Sequence, residues 1–435
     1  MDMISPVPRP AAASGSVFLW VHCAVLAGYA LLGRGFAYAG IRPIYIGEIS
    51  LVFGLAAMIL SGAAGTAIAS LPGRFLLLCI VWTAARTLPS VSAYGLDAVR
   101  DAMLCGYGLF AFCVAAVCIA WPPRFTMLFV RYRRFAAVFV FCAWAVFLAS
   151  QAGLITVRFP AAPVPLGTAK GGDLLVHTAG ITALAMTGIM RPGIAAIIFI
   201  FINFLVAAAA NRGGMVSYAA AVAVCAALRP ARLRLAPVIY GLCLFAIVLA
   251  LVNPTISIGE RPVSAGQILL NARSVVGSSQ TWLDNTKQWR LRWWSDILRY
   301  TFAGPYFWSG KGFGVNLADD DGYQVAYDKS LRSPHNGHLT MLARGGVPAF
   351  GLWLLTNIGW LISMARGYRD SRKSFDTEWA GVFTFLIAYW TAFMVNATFD
   401  VFIEGPMGGI WYWTLFGVGL AARYIHRMYP ETIRP

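Results

Sequence analysis

The sequence predicts an all-α polytopic membrane protein with about twelve transmembrane helices, and three observations carry that prediction. Of its 435 residues, 59% are hydrophobic and only 12% charged, whereas about a quarter of a soluble domain is charged. The mean hydropathy is +0.68. Apolar runs of about twenty residues, the length a helix needs to cross a bilayer, recur almost from end to end. A disordered chain and a disulfide-stapled secreted scaffold are excluded on the same grounds.

Breaks at Gly, Pro and charged residues divide these runs into 16–33, 45–65, 74–90, 102–121, 135–154, 174–190, 193–210, 213–228, 235–252, 339–364, 378–397 and 406–424. The third is short and carries Arg86, and the pair around Asn211 and Arg212 can also be read as one broken element. No basic region followed by a cleavage site precedes the first run, so it reads as a retained helix rather than a signal peptide. Placing both termini in the cytoplasm collects Arg124, Arg131, Arg133, Arg134, Arg229, Arg232, Arg234, Arg366, Arg369, Arg372 and Lys373 on the inside, as the positive-inside bias requires. The net charge of +16 then reflects loop bias rather than affinity for nucleic acid. The eight cysteines lie in or beside apolar runs without metal-ligand spacing and read as small core hydrophobes.

One connection is out of proportion. Residues 1–252 hold helices one to nine, 339–435 hold helices ten to twelve and a cytoplasmic C-terminus, and 253–338 form one large outward loop with nine basic and seven acidic residues. Within it, Thr281 to Phe302 repeats Trp, Leu and Ile at three- and four-residue intervals among charges. That is an amphipathic helix, with tryptophans suited to the headgroup zone. The turn-rich Gly310 to Asn316 then breaks it.

Four features of the outer side carry possible chemistry. Ser333 to Gly351 holds His335 and His338, three residues apart and so on one face of a helix; histidine can accept and return a proton near neutral pH, although a solvated pair at the headgroup boundary is the bland reading. Arg212, in the Asn-Arg-Gly-Gly run from Asn211, is a permanent charge flanked by apolar sequence, which usually has a partner; the plainer account is a turn with a snorkelling side chain. Lys287, Arg290, Arg292 and Arg299 suit phosphate through bidentate hydrogen bonds, or merely anionic headgroups. Asp319 to Gly322 lacks the rest of a calcium loop and reads as a solvated turn. Asp97, Asp101, Asp173, Asp400 and Glu404 show no paired spacing, yet one of them could be catalytic or bind a partner arginine. No Walker or Rossmann glycine pattern is present. A reaction on this side would therefore draw on an already activated substrate, such as a lipid-linked sugar diphosphate; no cofactor motif is present, and the histidines lack a Cys or clear carboxylate partner at the spacing of a metal site.

Three stretches resemble the bacterial O-antigen ligase and polymerase superfamily of membrane glycosyltransferases. His335–Asn336 followed by Gly346 resembles its histidine–asparagine signature, with Ala349 where a second glycine is common. Arg290 and Trp294 before the Gly310–Gly314 turn resemble its loop segment, and Arg212 resembles its mid-chain arginine. The resemblance covers residues 195–365 by motif and the rest by topology. It implies a glycosyltransferase-C-like fold acting at the periplasmic face of a bacterial inner membrane. The implied donor is an undecaprenyl-diphosphate-linked glycan, and in a ligase the acceptor is a sugar of lipid A-core, giving complete lipopolysaccharide. It further implies that Arg212 and Arg290 bind the diphosphate, with Arg292 as substitute, and that His335 or His338 acts on the acceptor hydroxyl. Asn336, Trp294 and Gly346 would support them. An O-antigen polymerase, a protein O-oligosaccharyltransferase and, from another class, a twelve-helix transporter using Glu48 or His177 are the competing expectations.

Overall fold

The computed structural model describes residues 9–160, 162–228 and 281–433, together with 239–241, 243, 247, 256–258 and 261–263. The described chain is mostly helical. In order it runs α1 (Arg9–Phe36), α2 (Ile46–Ser61), α3 (Ala64–Ala69), α4 (Leu71–Thr87), α5 (Val91–Tyr94), α6 (Leu96–Gly106), α7 (Leu109–Ala120), α8 (Pro123–Gln151), α9 (Gly171–Met186), α10 (Ile194–Ala210) and α11 (Arg212–Leu228). Then follow α12 (Thr281–Phe302), α13 (Leu317–Asp320), α14 (Gly337–Lys373), α15 (Thr377–Phe399) and α16 (Pro406–Met428). Two short antiparallel ribbons, Gly40–Ile41 with Ile44–Tyr45 and Ile256–Ile258 with Arg261–Val263, are the strands among the described residues.

Among the described residues, five helices are long and apolar enough to cross a membrane: Ser14–Phe36, Leu71–Tyr94, Pro123–Gln151, Gly337–Lys373 and Thr377–Phe399. The pair α6–α7, bent by 40°, makes a sixth if it is one broken span. This is a polytopic membrane protein. Helices occupy eleven of the runs read from hydropathy, but α2, α10 and α11 are shorter apolar segments and α9 and α16 also fall outside the candidate spans, so five or six of the twelve expected spans are met among the described residues. The ninth run, 235–252, lies largely outside the described residues, as do Arg229, Arg232 and Arg234.

The centre of the bundle is made by helices buried on every side; α7 is apolar all round, as an enclosed helix commonly is, while α9 also carries buried polar groups. Residues 110–119 of α7 are buried, as is the whole of α9. Small residues let backbones approach closely at the crossings: a Cβ on Gly417 of α16 would stand 2.4 Å from the carbonyl oxygen of Ala111, and one on Gly180 of α9 would meet the Tyr389 ring at 2.6 Å. The two intramembrane groups a transporter would need are absorbed by this packing. His177 hydrogen-bonds the Tyr389 hydroxyl at 2.7 Å within a cage of aromatic rings. Glu48 accepts from the Tyr45 amide and the Tyr107 hydroxyl.

The amphipathic helix forms over Thr281–Phe302, but two of its tryptophans serve a different end from the one its pattern predicts. Trp293 is fully buried with Ile297 against Leu317, Ala318, Leu342 and Ala343, and Trp294 hydrogen-bonds the Pro334 carbonyl at 2.8 Å. Their faces dock on protein rather than on lipid headgroups.

A break in α14 seats the rest of the loop. At Gly346 the backbone leaves the helical region (φ 73°, ψ −174°), two residues before Pro348. Pro348 has no N–H to give the Arg344 carbonyl, four residues back. The Gly312 amide donates there instead, at 3.0 Å, while Lys311 donates to the Ala343 carbonyl at 2.7 Å and the Val347 amide turns to the Phe307 carbonyl at 2.8 Å. The backbone groups released by the break are thus satisfied by the glycine-rich turn, as buried polar groups must be. Gly310, Gly312 and Gly314 all take positive φ to make that turn.

Candidate functional site

Five chain segments meet at one end of the bundle. Helices α9 and α11 both begin there, α15 ends there, α12 crosses it, and the residues before α14 close it. Glycines set the approach. A Cβ on Gly213 would lie 2.7 Å from Phe399, one on Gly214 would lie 3.0 Å from the Gly172 Cα, and one on Gly172 would lie 2.9 Å from the Asn396 side chain. Asn211 adopts an extended conformation after α10, and its side chain accepts from the Gly214 amide at 2.8 Å, capping α11. The run of Asn211 to Gly214 therefore starts a second helix directly beside the first turn of α9, with Arg212 at its mouth.

Asp400, immediately after α15 and nearly buried, is the hub. Lys170 at the start of α9 donates to its Oδ1 at 2.6 Å, the Val401 amide donates to it at 2.8 Å, and His335 Nδ1 lies 3.6 Å from the same oxygen. Burial alone would push this carboxyl up, but His335, the Lys170 ammonium and the Val401 amide outweigh burial and hold it well below the usual carboxylate range. Arg290 reaches in from α12 and donates to the Phe399 carbonyl at 3.0 Å. Burial lowers its guanidinium, the Asp400 charge raises it and Arg212 lowers it again, so the three groups share one electrostatic environment. Asn396, buried one turn before Asp400, has no hydrogen-bond partner for its amide among the described residues.

The geometry before α14 explains why a histidine and an asparagine are adjacent. Asn336 is the N-cap: its Oδ1 accepts from the amides of His338 and Leu339, each at 3.1 Å. His335, one residue outside the helix, is held in the left-handed region at φ 54°, unusual for a residue with a Cβ. Trp294 fixes the turn from the other side through Pro334. The imidazole is partly exposed, and with Nδ1 toward Asp400 its Nε2 is the nitrogen left for another molecule.

His338 is placed otherwise. Its Nδ1 accepts from the indole N–H of the buried Trp353 at 3.1 Å, so Nε2 carries the proton and donates to the Met394 carbonyl at 3.1 Å. Both ring nitrogens are spent inside the protein. Arg292, two residues from Arg290 and so about 200° round the helix, is exposed on a different face with Asp296 and Tyr323. Arg212, Arg290 and His335 are brought together; His338 and Arg292 are not part of that group. Trp294, Asn336 and Gly346 support it at one remove.

A second network braces the same loop. Arg344 in α14 is buried and donates to Asp101 of α6 at 2.8 Å and to the Val315 carbonyl at 2.9 Å. Arg332 joins Asp101 at 3.1 Å and Asp97 at 3.2 Å, and the Gly314 amide donates to Asp101 at 3.1 Å. Glu404 accepts from Thr340 at 2.8 Å, and burial raises its carboxyl against that hydrogen bond and the Arg344 charge. None of Arg344, Asn396 and Lys170 is marked by the sequence pattern; the carboxylates that pair with Arg344 and Lys170 lie far away in the chain. Asp319, Asp320 and Asp321 are not a simple solvated turn: Asp320 and Asp321 both grip Lys311.

The family model described as O-antigen ligase matches residues 195–354. That interval contains Arg212, Arg290, Trp294, His335, Asn336 and Gly346. The match supports a place for this chain in the O-antigen ligase/polymerase superfamily, a class of glycosyltransferase-like membrane enzymes. No curated protein matches the sequence.

Proposed function

We propose that this protein is an O-antigen ligase, transferring a glycan from undecaprenyl diphosphate to a sugar hydroxyl of lipid A-core at the periplasmic face of a bacterial inner membrane. The observation that carries it is the convergence of Arg290, Lys170 and His335 on Asp400, with Arg212 beside Arg290; of these, Arg212, Arg290 and His335 lie within the segment that matches the family. Two helices, α9 and α11, begin at this cluster, and helix N-termini favour anions. A diphosphate there meets two guanidiniums and an ammonium. Those cations stabilise the charge that develops as the glycosidic carbon–oxygen bond breaks and undecaprenyl diphosphate departs with the electron pair. His335 Nε2 takes the proton of the acceptor hydroxyl as its oxygen attacks the anomeric carbon from the opposite face, inverting it. Asp400 holds the ring through Nδ1 and stabilises the imidazolium that forms. The scheme uses no metal. His338, with both nitrogens engaged, positions α14 against α15.

The test is the surface-glycan profile of a host lacking this gene, by gel and lipid extraction, with complementation by wild type and by His335→Ala. Loss of long glycan from lipid A-core with its accumulation on the undecaprenyl carrier, uncorrected by His335→Ala, supports the ligase. Retention of single repeats on lipid A-core with loss only of long chains assigns a polymerase instead. Full correction by His335→Ala refutes the mechanism.

A further inference from the structure

A second site lies on the other face of α12. Arg290 and Trp294 look toward Asp400 and Pro334, while Trp289, Arg292 and Asp296 border an open cleft of about 530 Å³ completed by Gln288, Asp321 and Tyr323. That volume falls within the range of small-molecule sites, about 300–1,000 Å³.

The walls of the cleft are fixed by contacts that the catalytic cluster does not use. The Trp293 ring is fully buried and stacks on Tyr323 at 5.2 Å and 5°, and Trp289 stands edge-on to Trp293 at 5.3 Å and to Tyr323 at 6.0 Å. The two carboxylates are held too. Asp296 accepts from the Tyr323 hydroxyl at 2.6 Å, and Asp321 accepts from the Trp293 indole at 2.5 Å. The Asp321 side chain is only 3% exposed and is spent on Lys311 and Trp293, whereas Asp296, also paired with Arg299, keeps a third of its side chain exposed and has lone pairs to offer. Lys311, bound to Asp320 and Asp321 and 4.5 Å from the Tyr300 ring centre, pins the turn that carries them. Exposed Arg292 and Gln288 supply donors at the rim.

This lining selects a ligand class. The exposed Asp296 carboxylate disfavours a purely anionic guest such as a phosphate, and the polar rim disfavours an acyl chain. A pyranose ring fits both halves: its C–H face lies on the Trp289 and Tyr323 rings, and its hydroxyls donate to Asp296 and accept from Arg292 and Gln288. We infer that the cleft is a secondary glycan subsite, holding a sugar unit of the donor glycan remote from the reacting end. The inference rests on the transfer proposed above. A helix with its side chains is about 10–12 Å across, so a glycan anchored near His335 need cross only α12 to reach the cleft, and chains of several sugars are held where a single sugar is not.

The experiment is ligand-observed saturation-transfer resonance on the full chain in detergent. The probes are free oligosaccharides of one and of several repeats, released by mild acid from the host's own lipopolysaccharide. Multi-repeat probes bind wild type and His335→Ala alike, Arg292→Ala and Trp289→Ala weaken that binding about tenfold or more, equivalent to ~1.4 kcal/mol, and Trp289→Phe retains it. Unchanged thermal melting of Arg292→Ala, whose side chain is exposed, separates lost binding from lost fold. Failure of every probe to bind wild type, or equal binding by Arg292→Ala and Trp289→Ala, overturns the subsite. Binding is read without turnover, so a failure of the transfer reading in the gene-deleted host is seen separately.

Discussion

Gly346→Ala is the sharpest perturbation of the frame that carries His335. At φ 73° and ψ −174° the residue occupies a backbone region essentially reserved for glycine, and an alanine there costs about 1–3 kcal/mol in strain. The added Cβ would also stand 2.6 Å from the Phe307 carbonyl oxygen and 2.9 Å from the Gly310 nitrogen. Both are backbone atoms, so relief requires the glycine-rich turn to lift off α14. Three hydrogen bonds join those surfaces, each worth about 0.5–1.5 kcal/mol net. The expected loss is roughly 3–6 kcal/mol, a large part of the ~5–15 kcal/mol by which a typical native domain is stable. Gly351→Ala on the same helix is the control, because its Cβ meets nothing within 4 Å; it gains about 0.5–1 kcal/mol of helix propensity.

The assay is thermal unfolding of the detergent-solubilised chain with limited proteolysis across residues 309–316. Gly346→Ala should melt well below wild type and open that segment to cleavage, while Gly351→Ala melts at or above wild type. Gly310→Ala, whose Cβ would lie 2.3 Å from the Arg344 carbonyl, removes the same docking from the other side. The double variant should therefore cost much less than the sum of the singles. A Gly346→Ala protein with wild-type melting and protection would refute the seating of the turn on the helix break.

Three further outcomes follow from named contacts. Asp101→Asn leaves the buried Arg344 without its paired counter-ion and should cost about 3–5 kcal/mol, read as a lowered melting temperature; an unchanged melt would show that Glu404 and the backbone carbonyls suffice. Asp400 has a depressed carboxyl, so its contribution is present above the unfolded value of about 3.9 and is lost as pH falls through the folded value. The stability margin of wild type over Asp400→Asn should be full at pH 5 and above and shrink below roughly pH 4; a margin independent of pH refutes the pairing. Trp294→Phe deletes the hydrogen bond to Pro334 at about 1 kcal/mol of stability, yet a displacement of His335 approaching 1 Å would slow transfer about a hundredfold. Rates that fall no further than folded protein would deny the bracing role.

What the sequence made legible divides along a physical line. Local periodicity bounded α12 at Thr281 and Phe302 and placed helices on eleven apolar runs, because burial on one face or all round is written in neighbouring residues. Pairing across the bundle is not written there. Asp400 follows an apolar run with nothing nearby to mark it, and only the close approach of α9, α11 and α15, permitted by Gly172, Gly213 and Gly214, turns it into the partner of Lys170 and His335. Histidines three residues apart look equivalent on a helical wheel, yet the helix begins between them: Asn336 caps it, leaving His335 outside in a left-handed turn and drawing His338 into a Trp353–Met394 clamp. The same holds for the arginines of α12. Arg290 and Arg292 differ by two residues in a charged run, and it is the burial of Trp293 and Ile297 that rotates the helix so that one meets Asp400 and the other the aromatic cleft. Residue type nominated the groups; the cap and the buried face chose among them.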